Sequence, residues 1–501
     1  MSLDIDRYKC NIPDRKKEEE TRVIKETTAL SLALYISQFT LGVRGFFIAR
    51  ILGPTLYGLW SVFHTAIALG AHLGLGTSQA MRREVPFNKG KNKQQDNITI
   101  FQNSFTFQLL VSLSVCVILL ALSQTNLIGD LKTEFRLLGF VLILNNTFFF
   151  LTNKLNGEKK IYSYAVFSLL YSLMNTLFGI SLIFCCKING LFIGMIISHA
   201  ILLSASLKKR YLYVGFQIKL KVIKELIKIG FPIMILNLSS VLMKQIDKLL
   251  VFTFLGRTMA GYYGLAAFIS ILVQNIPNSI SNVLFPRMMQ KYGRTNRKED
   301  IENYFLQPIT IIANSMPIIL GMVFIFSDAV ILMILPKYAP ALTIIKILIL
   351  SLFFTSILRV PTDILILFNK QKRVMYIQIA FLILGGLFDY IAIREGFGIE
   401  GVALATAFIF FVFSVVLIVY ALSSFGKTVS SIIMQLICIY APFFYATLIL
   451  IIAKLTVRDV ESVFQQSLLM SMLFLLFVIP LINNLNRYGI FKKILYVVIN
   501  R

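Results

Sequence analysis

Fourteen apolar runs of membrane-spanning length divide this 501-residue chain, and they constrain its fold more than any other feature. They lie at approximately 27–50, 57–78, 101–123, 135–153, 162–185, 189–207, 230–254, 261–285, 305–326, 340–368, 374–393, 399–421, 430–453 and 464–484. A helix of about 20 apolar residues crosses a hydrocarbon core of about 30 Å. In that medium every backbone polar group must be satisfied within the protein, so each run is read as a helix. A soluble bundle of such helices would have no polar face to show water. The composition agrees, with 57% hydrophobic residues and a mean hydropathy of +0.77. The expected class is an all-α integral membrane protein of about 14 transmembrane helices.

The formal charge of +25 normally raises the question of nucleic acid. Here the basic residues sit in short loops between apolar runs, which is the pattern of a positive-inside membrane protein, so no nucleic-acid partner is expected. With the N-terminus inside, inside segments hold 35 of the 49 Lys and Arg and outside loops hold 8. That asymmetry predicts a multi-pass protein with both termini cytoplasmic. The N-terminal 1–26 is charged and reads as a cytoplasmic tail without the apolar core of a signal peptide. Cys10, Cys116, Cys185, Cys186 and Cys438 form no CxxC or CxxH pattern, so neither a metal site nor a disulfide framework is expected. No GxxxxGK[ST], HExxH or GxSxG signature occurs, and no soluble stretch is long enough to house an active site. The chain reads as a transporter rather than an enzyme.

An internal repeat organises the spans. "LGPTLYG" (Leu52 to Gly58) joins the first two, and "LGRTMAG" (Leu255 to Gly261) joins the seventh and eighth. Four of seven positions match at an offset of 203 residues. "GLFIGMIISHA" and "GFGIEGVALATA" open the sixth and twelfth spans at an offset near 207. Six spans per repeat make parallel halves related by an axis along the membrane normal. The expected division is a tail at 1–26, an N-lobe at 27–207, a basic linker at 208–229, a C-lobe at 230–421, and two extra helices with a cytoplasmic tail at 422–501. Within the linker, Ile218, Leu220, Val222, Ile223, Leu226 and Ile227 alternate with Lys219, Lys221, Lys224 and Lys228, and an amphipathic basic helix is expected from Val222 onward, lying on the anionic inner leaflet.

Several segments resemble one family. "ARILGPTLYGLWSV", "LGLGTSQAMRREV" (Leu73 to Val85), "GFPIMILNLSSVLMKQIDKLLV" and "ILPKYAPALTIIKIL" (Ile334 to Leu348) are similar to the polysaccharide-export branch of the multidrug/oligosaccharidyl-lipid/polysaccharide (MOP) flippase superfamily. The likeness is to Wzx-type O-unit, teichuronic-acid and capsule flippases. It implies two six-helix lobes in a V-shaped, MATE-like arrangement plus two C-terminal helices. The implied task is moving undecaprenyl-pyrophosphate-linked oligosaccharide units across the bacterial cytoplasmic membrane, from the inner to the outer leaflet, for O-antigen (lipopolysaccharide), capsule, exopolysaccharide or teichuronic acid. The implied partners are that lipid-linked glycan, membrane lipids and polysaccharide polymerase or assembly proteins. A MATE-like drug/cation antiporter, a flippase for the lipid-linked peptidoglycan precursor and a non-transporting scaffold are the alternatives.

Intramembrane charges mark candidate sites, because they generally face a bundle interior or a water-filled cavity. Arg44 lies in the first span, and Lys244, Asp247 and Lys248 in the seventh. The 203-residue offset sets Arg44 opposite Asp247. Read as one helix, the seventh span puts 244, 247 and 248 on a single face. These four residues form the candidate substrate cavity, with Arg44, Lys244 and Lys248 attracting pyrophosphate and Asp247 tempering them or holding a coupling cation. No cofactor is expected beyond a coupling H+ or Na+. The other reading of 244–248 is a local ion pair with snorkelling lysines. Arg359, Pro361 and Asp363 form a candidate gate or hinge, or a static i, i+4 pair. Arg82 and Arg83 stand as a candidate cytoplasmic mouth, or as positive-inside anchors. His64 and His72, eight residues apart in one span, and His199 read as packing residues. Trp60 and Tyr57 read as an interfacial belt, and Lys346 and Asp389 as groups near span ends that reach water.

Overall fold

A computed structural model describes residues 12–90, 94–158, 160–212, 215–457, 460 and 462–487. The N-terminal tail before Ile12, with Cys10, and the C-terminal tail from residue 488 lie outside the described residues. The fold is all-helical, with no strand among the described residues. The helices are α1 (Ile12–Gly70), α2 (Thr77–Gly90), α3 (Gln94–Leu122), α4 (Lys132–Gly157), α5 (Ile161–Lys208), α6 (Leu220–Leu242), α7 (Ile246–Leu255) and α8 (Arg257–Thr295). They continue with α9 (Glu299–Ile334), α10 (Leu342–Ile357), α11 (Arg359–Leu367), α12 (Gln371–Arg394), α13 (Gly398–Ser424), α14 (Val429–Thr456) and α15 (Val463–Arg487). Eleven segments among the described residues are long and apolar enough to cross a membrane. The chain is a multi-pass membrane protein.

The fourteen expected spans are all recognisable, but four are joined and three are broken. α1 carries the first and second through a kink at Gly53 (φ 69°), and α5 carries the fifth and sixth through one at Lys187 (φ 49°). The second span unwinds at residues 71–76 before α2 begins, so His72 sits in turns rather than on a helical face with His64. The seventh span breaks at Met243–Gln245, where the amides of Lys244 and Gln245 bond three residues back to Val241 and Leu242. The tenth breaks at Leu358 between α10 and α11. Pro361 explains that position, because it falls in the first turn of α11, where a helix has no use for the missing N–H.

The chain divides into two compact units. One comprises Met1–Ile51 and Phe63–Leu238, the other Leu52–Val62 and Ser239–Arg501. The boundary departs from the expected one, because α6 belongs to the first unit. Its Leu226 is buried in a core with Met81, Phe150, Leu151 and Leu155, Val222 and Ile229 pack against that core, and Ile223 is buried too. The expected amphipathic helix from Val222 therefore spends its apolar face on protein and not on lipid. In the second unit α10 is deeply enclosed, with Ile344, Ile345, Ile349, Phe353 and Ile357 fully buried. The two helices beyond the repeat, α14 and α15, pack on α9 through Ile325, Leu450, Phe474 and Val478.

The two copies of the repeated turn meet within the second unit. Thr55 and Thr258 share a hydrogen bond of 2.9 Å across 203 residues. A Cβ on Gly58 would overlap the carbonyl of Arg257, and one on Gly261 would overlap the carbonyl of Pro54. Both relations use the same 203-residue offset, so the contact is reciprocal, as at a two-fold axis. Gly53 and Gly256 also share positive φ, 69° and 88°, which glycine alone adopts without strain. Beside this contact the ring of Tyr338 takes Tyr57 and Tyr262 edge-on at 6.0 and 6.1 Å. Tyr57 and Trp60 are buried here, which corrects their reading as an interfacial belt.

Candidate functional site

The break at Met243–Gln245 sets the geometry of the second unit. It places Lys244 on a turn and begins a new helix at Ile246, so Lys244 does not share a helical face with Asp247 and Lys248, as an unbroken seventh span would require. Lys244 Nζ reaches across to Gln274 Oε1 on α8 at 2.7 Å. Asp247, in the first turn of α7, accepts the amide of Lys248 at 2.8 Å, which uses one of the free N–H groups at a helix start. Its second oxygen accepts from Tyr263 Oη at 2.5 Å. The buried ammonium of Lys248 interacts electrostatically with the same carboxylate.

A second carboxylate completes this arrangement. Tyr263 Oη lies 3.3 Å from Thr406 Oγ1 on α13, and Thr406 hydrogen-bonds Asp389 of α12. Asp389 is only 2% exposed, which corrects the expectation that it reaches water. Tyr263 donates to Asp247 and Thr406 to Asp389, so both hydroxyl protons are used. Asp389 Oδ1 remains buried without a hydrogen-bond partner. Two buried carboxylates that interact through charge are costly unless a cation or a proton joins them.

The cluster stands between two cavities of the second unit. One, of about 460 Å³, is lined by Lys244, Asp247, Ser270, Gln274, Ser351 and Thr355, among others. The other, of about 260 Å³, is lined by Asp247, Asp389 and Thr406 with the apolar Phe381, Ile409 and Phe410. Asp247, Thr406 and Phe410 border both. The larger cavity has lysine, amide and hydroxyl groups on an apolar wall, a mixture suited to an anionic, hydroxyl-rich group. Arg359 adds to its positive character, because its charge acts on Lys244. Arg359 Nε also lies 3.3 Å from the Asp363 carboxylate, one turn away on α11.

Arg44 belongs to the first unit and is buried there. Its guanidinium lies against Gly179 of α5, where an added Cβ would come within 3.1 Å of Nε, and it interacts electrostatically with Tyr171. The Tyr171 ring lies 4.6 Å from that of His199, tilted by 42°, and His199 Nδ1 donates to the Met195 carbonyl at 2.8 Å. Arg82 and Arg83 are exposed on α2, with Arg83 3.9 Å from Glu84. Lys346 pairs with Asp328 at 2.5 Å instead of reaching water. Three groups of the acid cluster escaped sequence reasoning. Tyr263 and Thr406 are ordinary in apolar helices, and Asp389 was placed at the surface. One signal was present: Thr406 is the repeat equivalent of His199, 207 residues earlier.

Residues 47–341 match the model of a family described as polysaccharide biosynthesis proteins. The chain belongs to this family of MOP-superfamily flippases. The matched part of this polysaccharide-biosynthesis flippase includes Lys244, Asp247, Lys248 and Tyr263, while Arg359, Asp389 and Thr406 follow it. Solved structures share its fold at low identity. The lipid II flippase MurJ in an inward closed conformation is 15% identical with a TM-score of 0.70, covering 94% of this chain and 99% of that one. An inward-facing multidrug-resistance MATE transporter is 16% identical with a TM-score of 0.65, covering 81% and 99%. A MOP-superfamily transporter from Pyrococcus furiosus is 17% identical with a TM-score of 0.55, covering 81% and 97%. No curated protein matches this flippase.

Proposed function

We propose that this flippase moves an undecaprenyl-pyrophosphate-linked oligosaccharide from the inner to the outer leaflet of the bacterial cytoplasmic membrane, by alternating access, in surface-polysaccharide biosynthesis. The observation that carries this reading is the larger cavity of the second unit. Lys244, held by Gln274, and the nearby Arg359 supply positive charge for a pyrophosphate, while Ser270, Ser351 and Thr355 supply oxygen partners for sugar hydroxyls. Family membership supports the polysaccharide class, and Lys244 in the lining, with the charge of Arg359 nearby, favours an anionic cargo, although Asp247 lines the same cavity. Both termini are assigned to the cytoplasm on the distribution of Lys and Arg.

The cycle is driven by a monovalent cation at Asp247 and Asp389. A proton or Na+ there would complete the coordination of Asp389 Oδ1 and neutralise the carboxylate pair. The same acids favour one second reading, a MATE-like antiporter whose cargo is itself a cation. Reconstituted vesicles separate the two. Lys244→Gln should lower flipping of a fluorescent undecaprenyl-pyrophosphate oligosaccharide about tenfold or more, the loss of a charged hydrogen-bond donor. No flipping by the wild-type chain, with uptake of an organic cation that Asp247→Asn abolishes, would establish the antiporter instead.

A further inference from the structure

Between α5 and α6 the chain changes character at one edge of the first unit. Gly215–Lys219 has no helical structure, and α6 starts at Leu220, the first residue of a helix long and apolar enough to span a membrane. This short strap is held to α3 by its backbone. The amide of Gln217 donates to Thr106 Oγ1 at 3.1 Å and that of Lys219 to Asn103 Oδ1 at 2.5 Å. Asn103 Nδ2 returns a bond to Gln217 Oε1 at 3.3 Å. The strap is thus fixed in place rather than loosely linking two helices.

Its side chains are arranged with period two. Phe216, Ile218 and Leu220 are 72%, 55% and 70% exposed. That spacing puts Phe216 and Ile218 on one side of the extended segment, although Gly215 and Lys219 are exposed too and the Phe216 ring also lies 5.8 Å from that of Phe105. Lys219, Lys221, Lys224 and Lys228 are exposed as well, and the last three fall on neighbouring turns of α6. None of the four is in an ion pair among the described residues, and Glu225 is the one acid among residues 215–228. The buried face of α6 carries Ile223 and Leu226, so the outward apolar group at this end is supplied by the strap residues Phe216 and Ile218 with Leu220, the first residue of α6.

We propose that residues 215–228 form an interfacial anchor for anionic phospholipid. Phe216, Ile218 and Leu220 enter the boundary of the acyl chains, and the four lysines bind the phosphodiester headgroups above them. The placement follows from the start of α6 at the membrane boundary, and the choice of lipid from four exposed cations against one acid. Each lysine near an anionic surface strengthens attraction by about fivefold. Basic residues flanking a span would need no such strap; two large apolar side chains, Phe216 and Ile218, on a clamped, non-helical segment, followed at once by exposed Leu220 at the start of α6, distinguish an anchor from simple charge flanking.

The test uses the full chain in vesicles, with Phe216→Trp as reporter and the wild-type chain as blank, since Trp60 is the single tryptophan and is buried. Quenching by a small fraction of brominated phosphatidylglycerol is expected to exceed that by brominated phosphatidylcholine about fivefold or more. Replacing Lys219, Lys221, Lys224 and Lys228 by Gln in the reporter should erase the preference and leave the phosphatidylcholine quenching. Equal quenching by both lipids in the intact reporter would leave apolar insertion without headgroup recognition, and overturn the proposal. Quenching by neither would mean that water or an acidic protein segment covers the strap, and would overturn it as well.

Discussion

Arg44 and Asp247 occupy matching places in the two repeats, 203 residues apart, and their surroundings match further than the sequence alone reveals. Gly179 lies against Arg44; Gly386, 207 residues later, lies against Ile246, the neighbour of Asp247. In both places an added Cβ would come within 3.1 Å of that residue. His199 and Thr406 are likewise 207 residues apart, and each supplies the polar group of its helix beside the cluster. The backbone packing has been kept and the chemistry has been inverted. One unit buries a guanidinium beside the rings of Tyr171 and His199. The other buries two carboxylates bridged by Tyr263 and Thr406. Small residues at a helix contact are constrained by the distance between backbones, whereas a buried charge is constrained only by finding its partner. Duplication therefore preserves the first and leaves the second free to diverge.

The largest effect is expected from exchanging these charges for neutral isosteres. Asp247→Asn removes an acceptor of a charged hydrogen bond, an interaction of about 1.5–3 kcal/mol, so transport should fall about tenfold to a hundredfold and lose its dependence on the coupling cation. Arg44→Gln should weaken transport of an anionic cargo by a similar factor while the cation dependence stays as it was. Flux measured in vesicles over a range of Na+ concentration and pH reads both. If the two variants change cation dependence alike, the inversion of chemistry has no functional meaning and the sites act as one.

A smaller effect is expected where the repeats are alike. Gly58 and Gly261 each abut a carbonyl in the opposite turn, and the relation is reciprocal. Alanine at either position should therefore cost the same, about 3 kcal/mol, because backbone rather than a flexible side chain must yield. Thermal unfolding in detergent measures this. The double variant should cost clearly less than the sum, since one displacement of the turns relieves both overlaps. Unequal single losses would show that the two-fold relation is approximate at the contact itself.

What was legible in the sequence follows the same division. The apolar runs and the LGxTxxG turns are local signals; each expected span falls within helical structure and both turns are where they were expected, although the second, seventh and tenth spans are broken. The breaks were partly legible. Pro361 marks the interruption before α11, whereas nothing in "LMKQID" announces that the seventh span stops at Met243. The acid cluster was not legible as a cluster. Tyr263 and Thr406 are 143 residues apart, and only the packing of α8 and α13 on α7 and α10 brings them together. Reading Asp389 by its distance from a span end missed that α12 turns it inward. The strap at 215–219 has no conformation of its own in the sequence pattern, which predicts the helix from Val222; the structure begins it at Leu220 and leaves 215–219 extended before it.

The smallest effect concerns Thr55 and Thr258, the pair that joins the two turns by side chains alone. Their hydroxyls are 2.9 Å apart and solvent-exposed. Removing one hydroxyl by Thr→Val keeps the shape and leaves its partner free to bond water, so no buried group is stranded. Each single variant should then lose about 0.5–1 kcal/mol, the lower part of the range for a hydrogen bond. The double variant should lose no more than either single one, because the bond can be removed only once. A double-mutant cycle on thermal unfolding gives the coupling. Additive losses would mean that each threonine acts through its own backbone, and that the turns are held together by the glycine contacts without help from this bond.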